Sequence, residues 1–273
     1  MEDRERMKIL IAYDGSDSAE SAIDDLNRAG LPRRAEVLVL TIAETLIPAP
    51  TSIGGIATAF AGELAEEGRD SLALAGRARS RIQAAFHEWD VLADAGFGSA
   101  SGEIIVRAGE WHPDLIIVGS HGRTVVGRTL FGSVSQKLVN EAPYSIRVAR
   151  GRIVEPDVPV RIIVGIDGSA GADAAVSEIV SRNWPAGSEV RIVNSQMTIP
   201  PSLEPGVPVL QAELLSHETE RVNQKIKSAA ERLSSAGLKV SIVVKEEEPK
   251  ELLCREAGRF RADCIFVGAK GKG

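Results

Sequence analysis

The chain has 273 residues, 44% hydrophobic and 26% charged. That is the balance of an ordinary soluble globular protein, with length for roughly two domains of about 100–150 residues. A formal net charge of −6 argues against broad nucleic-acid binding, which needs an electropositive footprint, but leaves room for a local basic pocket. The charged stretch Met1 to Lys8 is no secretory signal, and no apolar run approaches the ~18 residues of a membrane span. The expected location is the cytoplasm, with neither membrane nor nucleic acid as partner. Cys254 and Cys264 make no disulfide framework and no ligand-spaced cluster, so reduced thiols packed in or near a core are expected.

In chain order, Ile9 to Ala12 is an apolar run fit for a strand buried on both faces. Ala19, Ala22, Ile23 and Leu26 have helical spacing, which predicts a helix over Ser18 to Ala29. Val37 to Ile42 reads as a second strand and Leu46 to Gly62 as a long Pro/Gly-rich connection. Glu63 to Glu88 reads as a long helix, and Trp89 to Leu92 as the start of a short third strand. A helix from Glu103 to Ala108 ends near Gly109; after it come a strand at Leu115 to Val118, a helix at Ser133 to Glu141 and a strand at Ser145 to Ala149. This alternation implies an α/β fold with parallel strands and right-handed crossovers.

The chain then repeats itself. KILIAYDGS from Lys8 matches RIIVGIDGS from Arg161, and DLIIVGSHG from Asp114 matches DCIFVGAKG from Asp263, in the same order. The joint falls in Arg150 to Pro159, which reads as a linker, so the expected domains are residues 1–153 and 154–273. The fold expected is two tandem copies of a doubly wound, Rossmann-like, parallel five-stranded sheet flanked by helices. The second copy is expected to be incomplete, truncated after its fourth strand.

The loop after Val118 carries most of the chemistry. Gly119-Ser-His-Gly122 is followed nine residues later by Gly132-Ser133, where a helix begins. Asp14 and Gly119 follow strands that would end on one rim, where ligands of such sheets sit. Glycines at 119, 122 and 132 let the backbone turn with positive φ and come close to a ligand, and the free N–H groups of a helix start favour an anion. The hydroxyls of Ser133 and Ser135 add donors, and Arg123 and Arg128 either add charge or are simply solvated. The bland alternative is that Ser133 merely caps the helix. No Gly-x4-Gly-Lys-Ser/Thr and no Gly-x-Gly-x2-Gly is present.

The pattern Gly-x2-Gly-x9-Gly-Ser, with Asp14-Gly-Ser16, the aspartate-led strand Asp114–Val118 and the Pro143-to-Val148 ending, resembles the universal stress protein family. The resemblance covers the chain as two copies and implies an adenine-nucleotide-hydrolase-like fold. It further implies ATP with Mg²⁺ or Mn²⁺ in the first domain. On that resemblance Asp14 lies by the adenosine, Ile42 offers backbone hydrogen bonds to adenine, and Val118 and Gly119 flank the ribose. Gly122, Gly132, Ser133 and Val134 surround the phosphates. In the second copy Asp167, Ser195, Val267, Gly268 and Gly271 match, but no Gly-Ser, helix or strand comes after them. A homodimer, or two domains satisfying one another's interface, is the implied assembly, with protein partners left open.

No constellation here promises fast turnover. Of His87, His112, His121 and His217 only His121 lies in the loop, and Asp14 alone is no acid/base pair. The resemblance allows slow ATP hydrolysis or self-phosphorylation at most. Tyr13 either lines the pocket or packs at its rim, Glu246–Glu248 reads as a solvated turn, and Trp89, Trp111 and Trp184 read as packing residues. Two alternatives stand beside a nucleotide-responsive regulator. One is an interaction module that binds no nucleotide. The other is an ATP-pyrophosphatase-type enzyme, to whose loop Tyr13-Asp-Gly-Ser-Asp-Ser18 is distantly similar, although an aspartate at 14 would repel pyrophosphate.

Overall fold

Ile9, Leu10 and Ile11 are almost wholly buried, as a strand covered on both faces must be. In the computed structural model, which describes residues 6–44, 54–121, 132–150, 158–196 and 207–269, they belong to β1 (Met7–Ala12). The chain divides into two compact units, Met1–Val154 and Glu155–Gly273.

In the first unit β1 is flanked by β2 (Ala35–Ala43) and β4 (Leu115–Gly119). The outer strands are β3 (Asp90–Phe97) and β5 (Ser145–Ala149), giving the order β3-β2-β1-β4-β5. Every pairing is parallel, with Ala12 opposite both Leu40 and Val118. Because side chains alternate along each strand, Ile9, Ile11, Val37 and Val39 pack on one face with Ala75, Ala78 and Ile82 of α2 (Gly54–Ala85) and with Ala19, Ala22 and Ile23 of α1 (Asp17–Asp24). Leu10, Leu38, Leu40, Ile116 and Val118 pack on the other with Ile104 and Ala108 of α3 (Ala100–Trp111) and Leu138 of α4 (Ser133–Glu141).

The second unit repeats this with β6 (Arg161–Gly165), β7 (Glu189–Ser195), β8 (Lys239–Lys245) and β9 (Cys264–Phe266), in the order β8-β7-β6-β9. Its helices are α5 (Ala170–Ser181), α6 (Val207–Ser235) and α7 (Pro249–Phe260). The fold is thus α/β with two parallel sheets, five-stranded and four-stranded. No described strand pairs with the outer edge of β9.

Several elements differ from their sequence expectation. α2 starts at Gly54, within the stretch read as a connection, and β3 runs on to Phe97. α3 passes through Gly109 and stops where His112 turns left-handed at φ 53°. The helix after β1 ends at Asp24, and Asp25–Arg28 continues it as a 3₁₀ turn. Cys264 packs against the second core, but Cys254 is exposed on α7. The acidic run is not simply solvated: Glu248 caps α7 by accepting from the Glu251 N–H at 2.8 Å, and Glu247 pairs with Arg255. Trp89 is buried and stacks on Phe86 with ring centres 3.9 Å apart.

Candidate functional site

The order β3-β2-β1-β4-β5 reverses direction between β1 and β4. The chain steps outward from β1 through β2 to β3, then crosses back to β4. Such a switch point opens a crevice beyond the carboxyl ends of the two strands. Asp14 and Gly119 sit at those two ends.

Asp-Gly-Ser builds one wall. Asp14 Oδ1 accepts from the Ser16 N–H at 3.0 Å, Gly15 takes φ 72°, and Ser16 Oγ caps α1 by accepting from the Ala19 N–H at 3.3 Å. The second copy makes the same turn with Asp167, Gly168 at φ 79° and Ser169. Its presence in both copies marks it as the device that joins first strand to first helix. Tyr13 faces the core, with its hydroxyl donating to Glu20.

Gly119 lets α1 and β4 touch. A Cβ there would lie 2.9 Å from the Ser18 carbonyl carbon and 3.0 Å from the Ala19 nitrogen. Gly268 plays the same part against Gly171. Both glycines therefore serve close packing.

The base of the loop differs between the copies. Ser18 Oγ accepts from the His121 N–H at 3.1 Å, and Ser18 and Ser16 both donate to the His121 carbonyl. The Ser120 carbonyl accepts from the Gly132 N–H at 2.7 Å and from Ser135 Oγ at 3.3 Å, which brings the two ends of the loop together. Ser120 Oγ is 3.0 Å from His121 Nδ1. Gly171 and Ala269 stand at the places of Ser18 and Ser120 in the second copy, so those two hydroxyls are missing there. Sequence reasoning passed over Ser18 and Ser120; aligning the two copies residue by residue would have exposed them.

Gly132, not Ser133, is the cap residue of α4. It has φ −72° and ψ 163° rather than the positive φ expected of it, and among the described residues no side-chain cap accepts from the helix start. Ser135 Oγ turns back onto the Gly132 carbonyl at 3.0 Å and caps nothing. Ser133 is the exposed first helical residue. Among the described residues, no side-chain cap thus covers the opening N–H groups of α4 at the positive end of the helix dipole. Val134 packs its side chain against the core beneath, and Val118 is buried at 6% exposure, so each offers the rim its backbone.

Ile42 lies on β2 opposite Gly96, and its Cδ1 would be 2.8 Å from any Cβ placed there. Leu40 accepts from the Tyr13 N–H, so strand alternation turns the peptide groups of Ile42 to the same side, past the end of β1. Asp14, Ile42, Val118, Gly119, Gly132, Ser133 and Val134 therefore belong to one rim. Gly122 lies outside the described residues, as do Arg123, Arg128 and, in the second copy, Gly271.

Among the described residues no group of three or more His, Cys, Asp or Glu is placed to hold a metal ion. The described rim offers backbone N–H groups, hydroxyls and one carboxylate. No described helix is long and apolar enough to cross a membrane.

A model of the universal stress protein family matches residues 5–150 and 160–273. Universal stress protein Rv2005c of Mycobacterium tuberculosis is 25% identical over 215 residues, covering 76% of this chain and 68% of that protein. Universal stress protein YxiE of Bacillus subtilis is 27% identical over 149 residues, covering 52% of this chain and 98% of that protein. A universal stress protein from Archaeoglobus fulgidus superposes with a TM-score of 0.61 at 18% identity, covering 94% of this chain and 85% of the other, a likeness of fold.

Proposed function

Since the chain belongs to the universal stress protein family, matched in both halves, we propose that its first domain binds ATP with Mg²⁺ or Mn²⁺ and acts as a nucleotide-responsive regulator. The observation that carries this reading is the uncapped start of α4 at the switch-point rim. In this reading the N–H groups of Ser133 and Val134, with the Ser133 hydroxyl and the backbone at Gly122 and Gly132, hold the phosphates. Val118 and Gly119 flank the ribose. Ile42 presents peptide groups to adenine, and Asp14 stands beside the adenosine.

The described residues fit a nucleotide better than a bare cation. They supply anion-binding N–H groups and one carboxylate, so the metal would be held largely by phosphate oxygens. When bound, ATP supplies the negative charge that the helix start lacks. The loop's own hydroxyl ties, through Ser16, Ser18, Ser120 and Ser135, are what nucleotide binding would bias. A ligand shifts such an equilibrium only by its differential affinity for the two loop states. The arrangement supports binding and release rather than rapid turnover. A homodimer, or pairing of the two domains within one chain, completes the proposal, and sedimentation equilibrium separates the two.

For the second domain the non-nucleotide reading is favoured by Gly171 and Ala269 at the places of Ser18 and Ser120. Calorimetric titration of MgATP into the full chain and into a Gly132→Asp, Ser133→Ala variant tests both readings. One site of micromolar affinity, lost in the variant, is expected. No heat from either protein overturns nucleotide binding, and two equivalent sites overturn the assignment to the first domain alone.

A further inference from the structure

The duplication supplies an internal control for every surface, and one surface has changed its charge. α3 and α7 end alike, on an aromatic residue followed by a left-handed one: Trp111 and His112 at φ 53°, Phe260 and Arg261 at φ 52°. Asp114 accepts from the Lys8 N–H at 2.7 Å, and Asp263 from the Arg161 N–H at 2.8 Å. The amino-terminal edges of the two sheets therefore correspond residue by residue. Lys8, Glu36, Leu38 and Glu110 occupy that corner in the first domain, and Arg161, Glu189, Arg191 and Arg259 in the second. With Arg107 and Glu256 at the next matching position, two carboxylates against two cations have become two carboxylates against four cations, Arg261 replacing His112.

The second-domain corner is also a concavity. Arg161, Glu189, Arg191, Arg259, Phe260 and Arg261 line a pocket of about 390 Å³. Arg191 stands where Leu38 is buried in the first core. It is fixed by Glu256 at 3.1 Å and lies 4.2 Å over the Phe260 ring, yet its side chain keeps 23% exposure. Glu256 is buried and also takes Lys245 at 3.1 Å and Arg259 at 3.5 Å. Arg161 and Arg261 are exposed and pair with no described carboxylate. The negative end of α7 would account for cations at 259 and 261. It does not account for Arg161 and Arg191, which come from two strands.

We propose that this pocket is a second anion site, distinct from the rim of the first domain, and that it takes a small ligand carrying two linked phosphates. Guanidinium forks match phosphate oxygens in pairs, and Arg191 is already oriented by Glu256 and Phe260. Glu189 and Glu256 offset two of the four arginines, and the remaining excess of two positive charges suits a diphosphate better than a single phosphate. The depression is open and shallow, but its arginines form a compact group rather than an extended basic strip on a chain of net charge −6, which favours a small molecule over a nucleic-acid backbone.

The probe is sodium pyrophosphate without divalent cation, titrated calorimetrically into the full chain. Arg161→Thr with Arg261→Asn removes the two unpaired guanidiniums while keeping a strand former at 161 and a residue tolerant of the left-handed conformation at 261. Far-ultraviolet circular dichroism checks that this variant is folded. The expected result is one site with Kd below about 1 mM, weakened at least about tenfold in the double variant and kept in Gly132→Asp, which disables the first domain's loop. No heat from the wild type, or binding that survives the double variant or vanishes in Gly132→Asp, overturns the proposal. Tighter binding of a DNA duplex than of pyrophosphate, lost in the same double variant, overturns the small-ligand assignment.

Discussion

Ile116 and Ile265 occupy the same place in the two copies of DLIIVG/DCIFVG, yet Ile116 is fully buried and Ile265 is 45% exposed. Val118 and Val267 repeat the contrast at 6% and 57%. The difference arises from elements further along the chain. In the first domain α4 and β5 come next, and Leu138 closes over Ile116 and Val118. In the second, the described residues end just after β9. Closely similar local sequence therefore gives the same strand but not the same core: strand identity is local, whereas burial is set by neighbours distant in sequence.

The sharpest way to break this comparison is to truncate both isoleucines. Ile116→Ala should destabilise the first domain by about 2–5 kcal/mol, whereas Ile265→Ala should cost the second domain less than about 1 kcal/mol. Native-state hydrogen exchange, which reads each sheet separately, checks this. Equal costs would show that the β9 face is covered in solution. The two close glycines should behave alike instead. Gly119→Ala and Gly268→Ala each force a Cβ against backbone, and each should cost about 1–3 kcal/mol in its own domain.

A pH titration sharpens the contrast at the charged corner. Burial would raise the pKa of Glu256, but the hydrogen bond and charge of Lys245, together with those of Arg191, outweigh it and hold the carboxyl below its usual range. A lowered folded pKa means that this stabilisation is complete above the ordinary value of about 4.5 and is lost as pH falls through the folded value. Glu256→Gln should therefore flatten the acid limb of second-domain unfolding, by no more than about 1.4 kcal/mol per pH unit. Arg107 stands at the corresponding place in the first domain, whose acid limb should not change. The smallest expected effect is at the loop base. Ser18→Ala removes the hydroxyl tie to His121 and should cost the first domain about 0.5–1.5 kcal/mol, measured by denaturant unfolding.

Strands buried on both faces were the most legible part of the sequence, because Ile9–Ala12 and Leu115–Val118 need no partner to be recognised as apolar runs. α4 and β5 fell within their expected bounds because Pro143 punctuates them. Glycine misled twice, and for one reason: its cost of about 1 kcal/mol in a helix is small enough that glycine alone does not stop one. Gly54 opens α2 and Gly109 lies inside α3, although each reads as loop or stop. β3 looked short because Ala93 to Phe97 carries a weak apolar pattern, and its register comes from pairing with β2. At the candidate site the glycine spacing was visible in the residues alone. The cap was misplaced by one residue, since serine is a good cap by type and only backbone geometry shows that Gly132 holds that position. Hydroxyls such as Ser120 carry no signal within one copy, because their partners are set by the folded loop; only the comparison with Ala269 in the other copy singles it out.

The hydrogen bond from the Gly132 N–H to the Ser120 carbonyl has a consequence for engineering. It pins the end of β4 and the start of α4 side by side, so the sheet and helix are joined at the base of the connection whatever its length. Doubling the length of such a closed loop costs only about 0.6 kcal/mol of closure entropy. A reporter peptide grafted between His121 and Gly132 should leave β4, α4 and β5 in place, making this the natural insertion point for building a sensor on this scaffold.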